Sequence, residues 1–177
     1  MTTPPSGSAR RAELFASAYA YALEHGLSDL TLRPLAAATG TSPRVLLFLF
    51  GSKDELVREI LHRARQDQLA FVRQPATEGY AHVVDQLWRW ASAPERRGLI
   101  RLFFEAYARS VRDTGGPWEG FAERSIRDML DVLLAAQPGA PPDRALRRAT
   151  QTLALLRGLL LHLVAGGDAE ELGKLLR

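Results

Sequence analysis

Side chains that could do covalent or metal chemistry are few and scattered in this chain. The four histidines, His25, His62, His82 and His162, share no metal-ligand spacing, and there is no cysteine to supply a thiolate. No glycine-rich phosphate loop and no G-x-S-x-G turn occurs; the glycines fall at the ends of helical segments. Adjacent carboxylates such as Glu170-Glu171 read as helix-start charges. No catalytic residue, metal or cofactor is expected. What the chain does offer is recognition chemistry. Arg33, Arg44 and Lys53 each stand early in a short helical segment within Thr31 to Leu56, TLRPLAAATGTSPRVLLFLFGSKDEL. A cation at a helix start adds to an anion site, and an arginine can grip a guanine edge with two bonds.

The elements that would position these cations are legible. Thr31 suits an N-cap, Leu32 to Thr39 is a compact apolar run with alanines at 36 to 38, and Gly40 can take positive φ and end the helix. Ser42 caps a second helix with Pro43 at its first position, and Gly51 stops it. Ser52 to Glu55 forms a capping box for a third. A link of about three residues between two short helices is the length of a helix-turn-helix unit. Leu46 and Phe50, four apart, should face the core with Leu35, leaving Leu47 and Leu49 more outward. There they either touch thymine methyls or pack on neighbouring helices.

Over roughly residues 10 to 60 the sequence resembles the TetR family of helical transcriptional repressors. Thr31, Leu35-Ala36, Gly40, Ser42, Leu46, Phe50 and Ser52-Lys53 carry the resemblance; beyond them it rests on length and helix pattern. It implies binding to double-stranded DNA through Arg10, Arg11, Thr31, Arg33, Thr41, Ser42, Arg44, Leu47, Phe48 and Lys53. Arg44 is the base-edge candidate, with a phosphate contact or a surface charge as the alternative. Lys53 is expected on phosphate. Arg10 and Arg11, at the start of the first helix, either contact phosphate or are simply solvated. The family usually places a tyrosine and then a histidine before the phenylalanine matching Phe50, and both hold phosphates. Here the sequence reads Leu47-Phe48-Leu49, and none of these side chains can donate a hydrogen bond.

The rest of the chain is helical by periodicity. Helices are expected over 9–25, with Leu14, Ala18, Tyr21 and Ala22 on one face, and from Lys53 to about Gln74, with Leu56, Ile60, Ala64 and Phe71 inward. Further helices are expected over 77–92, from Pro94 to Arg112, over 117–136 and over 142–165, with a short one capped by Asp168. Leu27 to Leu30 connects the first two, and PGAPP at 138–142 is a linker. The expected fold is all-α: a three-helix head over 1–52 and a C-terminal helical bundle over 53–177.

Leu146, Ala149, Leu153, Leu156 and Leu160 follow spacings of three and four, and Ile126, Met129 and Leu133 add a second stripe. The two helices are expected to pair with their copies in a homodimer, with a monomer as the alternative. Trp88, Phe103, Phe104, Tyr107, Trp118 and Phe121 either build the core or line a pocket for an unknown small-molecule effector. If the Arg101, Glu105, Arg109 row faces inward, that effector is polar or acidic.

Net charge is +3 and the calculated pI near 9.7, permissive of DNA without demanding it. No segment is apolar enough to span a membrane, the first eleven residues read as a disordered arm with no targeting signal, and a cysteine-free chain suits the cytoplasm. The functional expectation is a ligand-responsive repressor that binds a palindromic operator as a homodimer. The alternative is a helical ligand-binding or interaction module without specific DNA binding.

Overall fold

The computed structural model describes residues 7–27, 30–72 and 79–176. Arm residues 1–6, the connector at Ser28-Asp29, the helix end expected near Gln74, the start expected at 77 and the side chain of Phe71 lie outside that description. The described residues form helices, turns and loops, with no strand. The helices are α1 (Gly7–His25), α2 (Leu32–Ala38), α3 (Pro43–Phe50), α4 (Lys53–Val72), α5 (Tyr80–Ser92), α6 (Arg97–Arg112), α7 (Phe121–Ala135), α8 (Pro142–Val164) and α9 (Ala169–Lys174). The chain is therefore all-α, with α1 to α3 as a head and α4 to α9 as a helical body.

The head's local chemistry works largely as its sequence suggests. After α2 the amide of Thr41 donates to Ala36 O at 2.9 Å and that of Gly40 to Ala37 O at 3.3 Å. This closing pattern needs a left-handed residue, and Gly40 supplies it at φ +64°. Ser42 Oγ accepts from the Val45 amide at 3.3 Å, and Ser52 Oγ from the Glu55 amide at 3.1 Å. Thr31 differs: its backbone is extended, but its side chain makes no capping bond. The helix expected from 117 also differs. Gly116–Trp118 forms a 3₁₀ turn, Gly120 turns left-handed at φ +67°, and α7 begins only at Phe121. Glu171 does not return a bond to the start of α9; it pairs with Lys174 at 2.6 Å, while Asp168 alone caps.

Two apolar cores result. One gathers Leu14, Ala18 and Ala22 of α1, Leu35 of α2, Leu46 and Phe50 of α3, and Leu56, Val57 and Ile60 of α4, and continues into Leu99, Leu102 and Ala106 of α6. The other joins α5, α7, α8 and α9 around Leu87, Leu133, Ala149 and Leu163. The head thus shares its core with the body helix α6.

The α1–α6 contact is unusually close. A Cβ at Gly98 would lie 2.4 Å from Leu23 O, which only glycine tolerates. Further along α6, Glu105 accepts the Leu27 amide on both carboxylate oxygens, at 3.0 and 2.9 Å. The Arg101, Glu105, Arg109 row therefore does not form an inward polar lining; its carboxylate caps the loop after α1. On the other side of α1, Tyr19 Oη donates to Asp67 Oδ2 at 2.8 Å, and Arg63 donates to Asp67 Oδ1 at 2.8 Å. Burial first, then this bond to Asp67, holds the Tyr19 phenol well above its ordinary pKa.

Replacing Gly98 by alanine discriminates packing from propensity. In an ordinary helix the change stabilises by about 1 kcal/mol. Here overpacking against Leu23 should destabilise by roughly 1–3 kcal/mol, read as a lowered urea midpoint. A raised midpoint would contradict the close crossing.

Candidate nucleic-acid interface

Helix α3 is amphipathic in a way that leaves an apolar face outside. Leu46 and Phe50 are buried, while Arg44, Leu47 and Phe48 share the opposite, exposed side. Phe48 is 87% exposed, so its ring is not packed on a neighbouring helix. Leu47 and Val45 are 42% and 38% exposed; Leu49 is half-buried against the head core. Val45 had no signal in the sequence beyond standing beside Arg44. Around this face, Thr31, Arg33, Ser42 and Lys53 are exposed and Thr41 is half-buried. Ser42 Oγ is already engaged in its cap, and Lys53 stands in the first turn of α4, where the helix N-terminus favours anions.

Arg11 corrects an expectation. Its Nε donates to Leu49 O at 3.1 Å, its Nη2 pairs with Glu59 Oε1, and its guanidinium carbon lies 4.8 Å from the centre of the Phe50 ring. A half-buried cation held by the last turn of α3 and by α4 is a clamp within the head rather than a free phosphate ligand. Glu59, its partner, was not singled out from the sequence; a lone acid on a charged helix face carries no such signal. Arg10 is exposed and pairs with Glu13, three residues on, at 3.3 Å.

In the body, α4, α5, α6, α7 and α8 enclose a cavity of about 70 Å³. Its aromatic lining is Trp90, Phe103 and Phe121. The other aromatic candidates lie off it. Trp88 is buried in the second core, where Nε1 donates to Ala169 O at 3.2 Å. Trp118 is buried in the first core, Phe104 meets Phe103 edge-on at 5.4 Å, and Tyr107 stands behind the wall. Aromatics at helical spacing filled the core first, as burial favours.

The expected dimer stripe also turns inward. Met129, Leu133, Ala149, Leu153 and Leu156 are buried within the subunit, and Ile126 and Leu160 are half-buried. Of that set only Leu146 is exposed, at 49%. A side chain already enclosed by its own chain cannot meet a partner. The outward face of α8 instead carries Gln151, Ala154, Leu155, Gly158 and Leu161, with Leu155 43% and Leu161 54% exposed.

Residues 14–60 match the model of the tetR family of bacterial regulatory proteins. Most of the chain also superposes on solved regulators. One is a transcriptional regulator from Rhodococcus sp. Rha1, at TM-score 0.80 and 20% identity, covering 94% of this chain and 91% of that one. Another is a transcriptional regulator of the TetR/AcrR type from Aquifex aeolicus VF5, at TM-score 0.70 and 17% identity, over 94% and 95% of the two chains. Residues 14–60 thus resemble the tetR family of regulatory proteins, and the chain shares the fold of these solved regulators. A transcriptional regulator from Saccharomonospora viridis, solved with choline, is similar at TM-score 0.74 and 17% identity, over 96% and 94%. Among curated proteins none matches this chain in sequence. No helix among the described residues is long and apolar enough to cross a membrane.

If Arg11 is a clamp and Arg10 is not, their alanine variants separate. Arg11→Ala should cost roughly 1–2 kcal/mol of stability, from a lost backbone bond and an uncompensated Glu59. Arg10→Ala should stay within about 0.5 kcal/mol. Equal urea midpoints for the two would return Arg11 to the list of free cations.

Proposed function

We propose that the chain represses transcription as a homodimer on a palindromic operator and releases it when a small effector fills the body cavity. The functional division follows the helices: a head over about 1–52 that reads DNA, and a body over about 53–177 that dimerises and holds the effector. The observation that carries the reading is the outward face of α3. A phenylalanine 87% exposed beside Arg44 and Leu47 costs hydration and is unrelieved by packing among the described residues. Set into a major groove, that face would place one guanidinium on a guanine edge and two apolar side chains against thymine methyls. Arg33, Arg44 and Lys53 surround it with charge for the backbone. The operator half-site is then expected to combine a guanine with neighbouring thymines.

Two heads are needed because one short helix contacts too few base pairs. Across a two-fold they would meet half-sites about one helical turn, roughly 34–36 Å, apart. The exposed face of α8 supports the pairing: Leu155 and Leu161 flank Ala154 and Gly158, whose small side chains let a second copy approach.

Release follows from where the cavity sits. Its walls include Ala64 and Gln68 of α4 and Leu99 and Phe103 of α6, and both helices also enter the head core. About 70 Å³ is well below the ~300 Å³ of a typical metabolite pocket. An effector would therefore push these walls apart and carry the head with them. Such coupling is typically ~1–3 kcal/mol. That a similar regulator holds choline supports a small-molecule effector in this fold.

Gel shifts on the DNA upstream of the chain's own gene test the reading, with wild type, Phe48→Ala and Leu161→Asp compared at two salt concentrations. Wild type should bind with a steep salt slope, as phosphate contacts release counterions. Phe48→Ala should lose about tenfold or more, since burying the ring contributes ~1.5–3 kcal/mol. Leu161→Asp should sediment as a monomer and bind far more weakly. No binding by folded wild type would favour a helical ligand-binding module that does not read DNA.

A further inference from the structure

The charged lining of the cavity is two arginines and one aspartate: Arg65, Arg157 and Asp128. Asp128 is already spent. Its Oδ2 accepts from Arg65 Nε at 2.5 Å and its Oδ1 from Arg65 Nη2 at 2.7 Å, a two-pronged pair that joins α4 to α7. Arg157 of α8 has no such partner. Its Nη1 donates to Tyr107 Oη at 3.3 Å and its Nη2 to Ser125 Oγ at 3.1 Å, both neutral hydroxyls. Among the described residues no carboxylate pairs with it. The rings of Phe103 and Tyr107 lie 5.7 and 4.8 Å from its guanidinium carbon.

This contrasts with two exposed arginines of the body. Arg89 pairs with Asp85 at 2.7 Å, and Arg112 with Asp113 at 2.7 Å, both toward solvent. Arg157 is half-buried in a mostly apolar chamber beside Leu87, Leu102 and Leu153. Burial pulls its pKa below the ordinary arginine value, only partly offset by Tyr107. It nevertheless stays cationic, because a guanidinium does not deprotonate in proteins. A charge held away from water without a counter-ion is costly. Five N–H donors against two hydroxyl acceptors leave the fork able to take a planar two-oxygen anion.

We infer that the effector is a monoanionic carboxylate with a short apolar body, its carboxylate taken by Arg157 and its body laid along Leu87, Phe103 and Leu153. This rests on the effector reading of the cavity and names the ligand's chemistry. The same lining disfavours a cation: choline would meet an unpaired arginine and find the aspartate already occupied.

The test uses chain-matched probes on the full-length protein: octanoate, octanol and octylamine, with phenylacetate and choline beside them. Binding is read by the fluorescence of Trp90, which lines the cavity, against a Trp90→Phe control, and by release of upstream DNA. Wild type should bind octanoate at least tenfold more tightly than octanol, and choline and octylamine more weakly still. Arg157→Gln, checked as folded by its helical circular dichroism, should lose the acid preference while keeping octanol affinity. Equal or better binding of octanol or an amine by wild type overturns the carboxylate assignment and leaves the effector reading standing. An acid preference that survives in Arg157→Gln also overturns it. Arg157-dependent acid binding that never releases DNA supports the ligand class and overturns the effector reading instead. Binding of none of the five probes overturns both.

Discussion

Helix α6 is held against the head at two points, and the rest of the molecule depends on that contact. At Gly98 its backbone runs against the Leu23 carbonyl, where a single added carbon would sit 2.4 Å away. One and a half to two turns later, Glu105 takes the Leu27 amide at the end of α1. Leu99 and Leu102 between these points, and Ala106 just beyond them, enter the head core. The neighbouring positions Ile100 and Phe103 face the cavity. One helix thus borders both the head core and the cavity, with Leu99 and Leu102 shared between them. Helix α4 repeats this arrangement along its length, with Leu56 to Ile60 in the head and Ala64 to Leu69 at the cavity. Close-packed interiors transmit such displacements rather than absorb them. A head so mounted moves when the body changes shape.

Charge is divided between two tasks. Arg11, Arg63 and Arg65 are spent inside the chain, on Glu59, Asp67 and Asp128; the first and last pairs join two helices, and Arg63–Asp67 lies within α4. Arg33, Arg44 and Lys53 remain exposed around α3. Arg157 belongs to neither group, since it faces inward and its polar and ring partners among the described residues are hydroxyls and aromatic rings. A cation that stabilises nothing by pairing in the subunit is the strongest chemical mark that the body carries.

Much of the head could be read from residues alone because its signals are local. Gly40, Ser42, Ser52 and the i, i+4 pair Leu46 and Phe50 act within one or two turns, so spacing decides them. The body resisted because its outcomes depend on which helices meet. Period alone gives Leu153 and Leu156 a seam, yet the seam faces α5 and α7 of the same subunit rather than a partner. Trp88 and Trp90 are two residues apart; the first fills a core against α9 and the second lines the cavity. Arg11 and Glu59 are 48 residues apart, and Arg157 and Tyr107 are 50 apart, separations no local pattern encodes.

The shared core makes one claim above the others: head and α6 open together. Native-state hydrogen exchange on the DNA-free protein reads this directly. Amides of Leu14, Ala18 and Ala22 in α1, Val57 and Ile60 in α4, and Leu102 and Ala106 in α6 should exchange with one common opening free energy. If α1 to α3 open at several kcal/mol less while α6 stays closed, the head is an independently swinging module and the account fails.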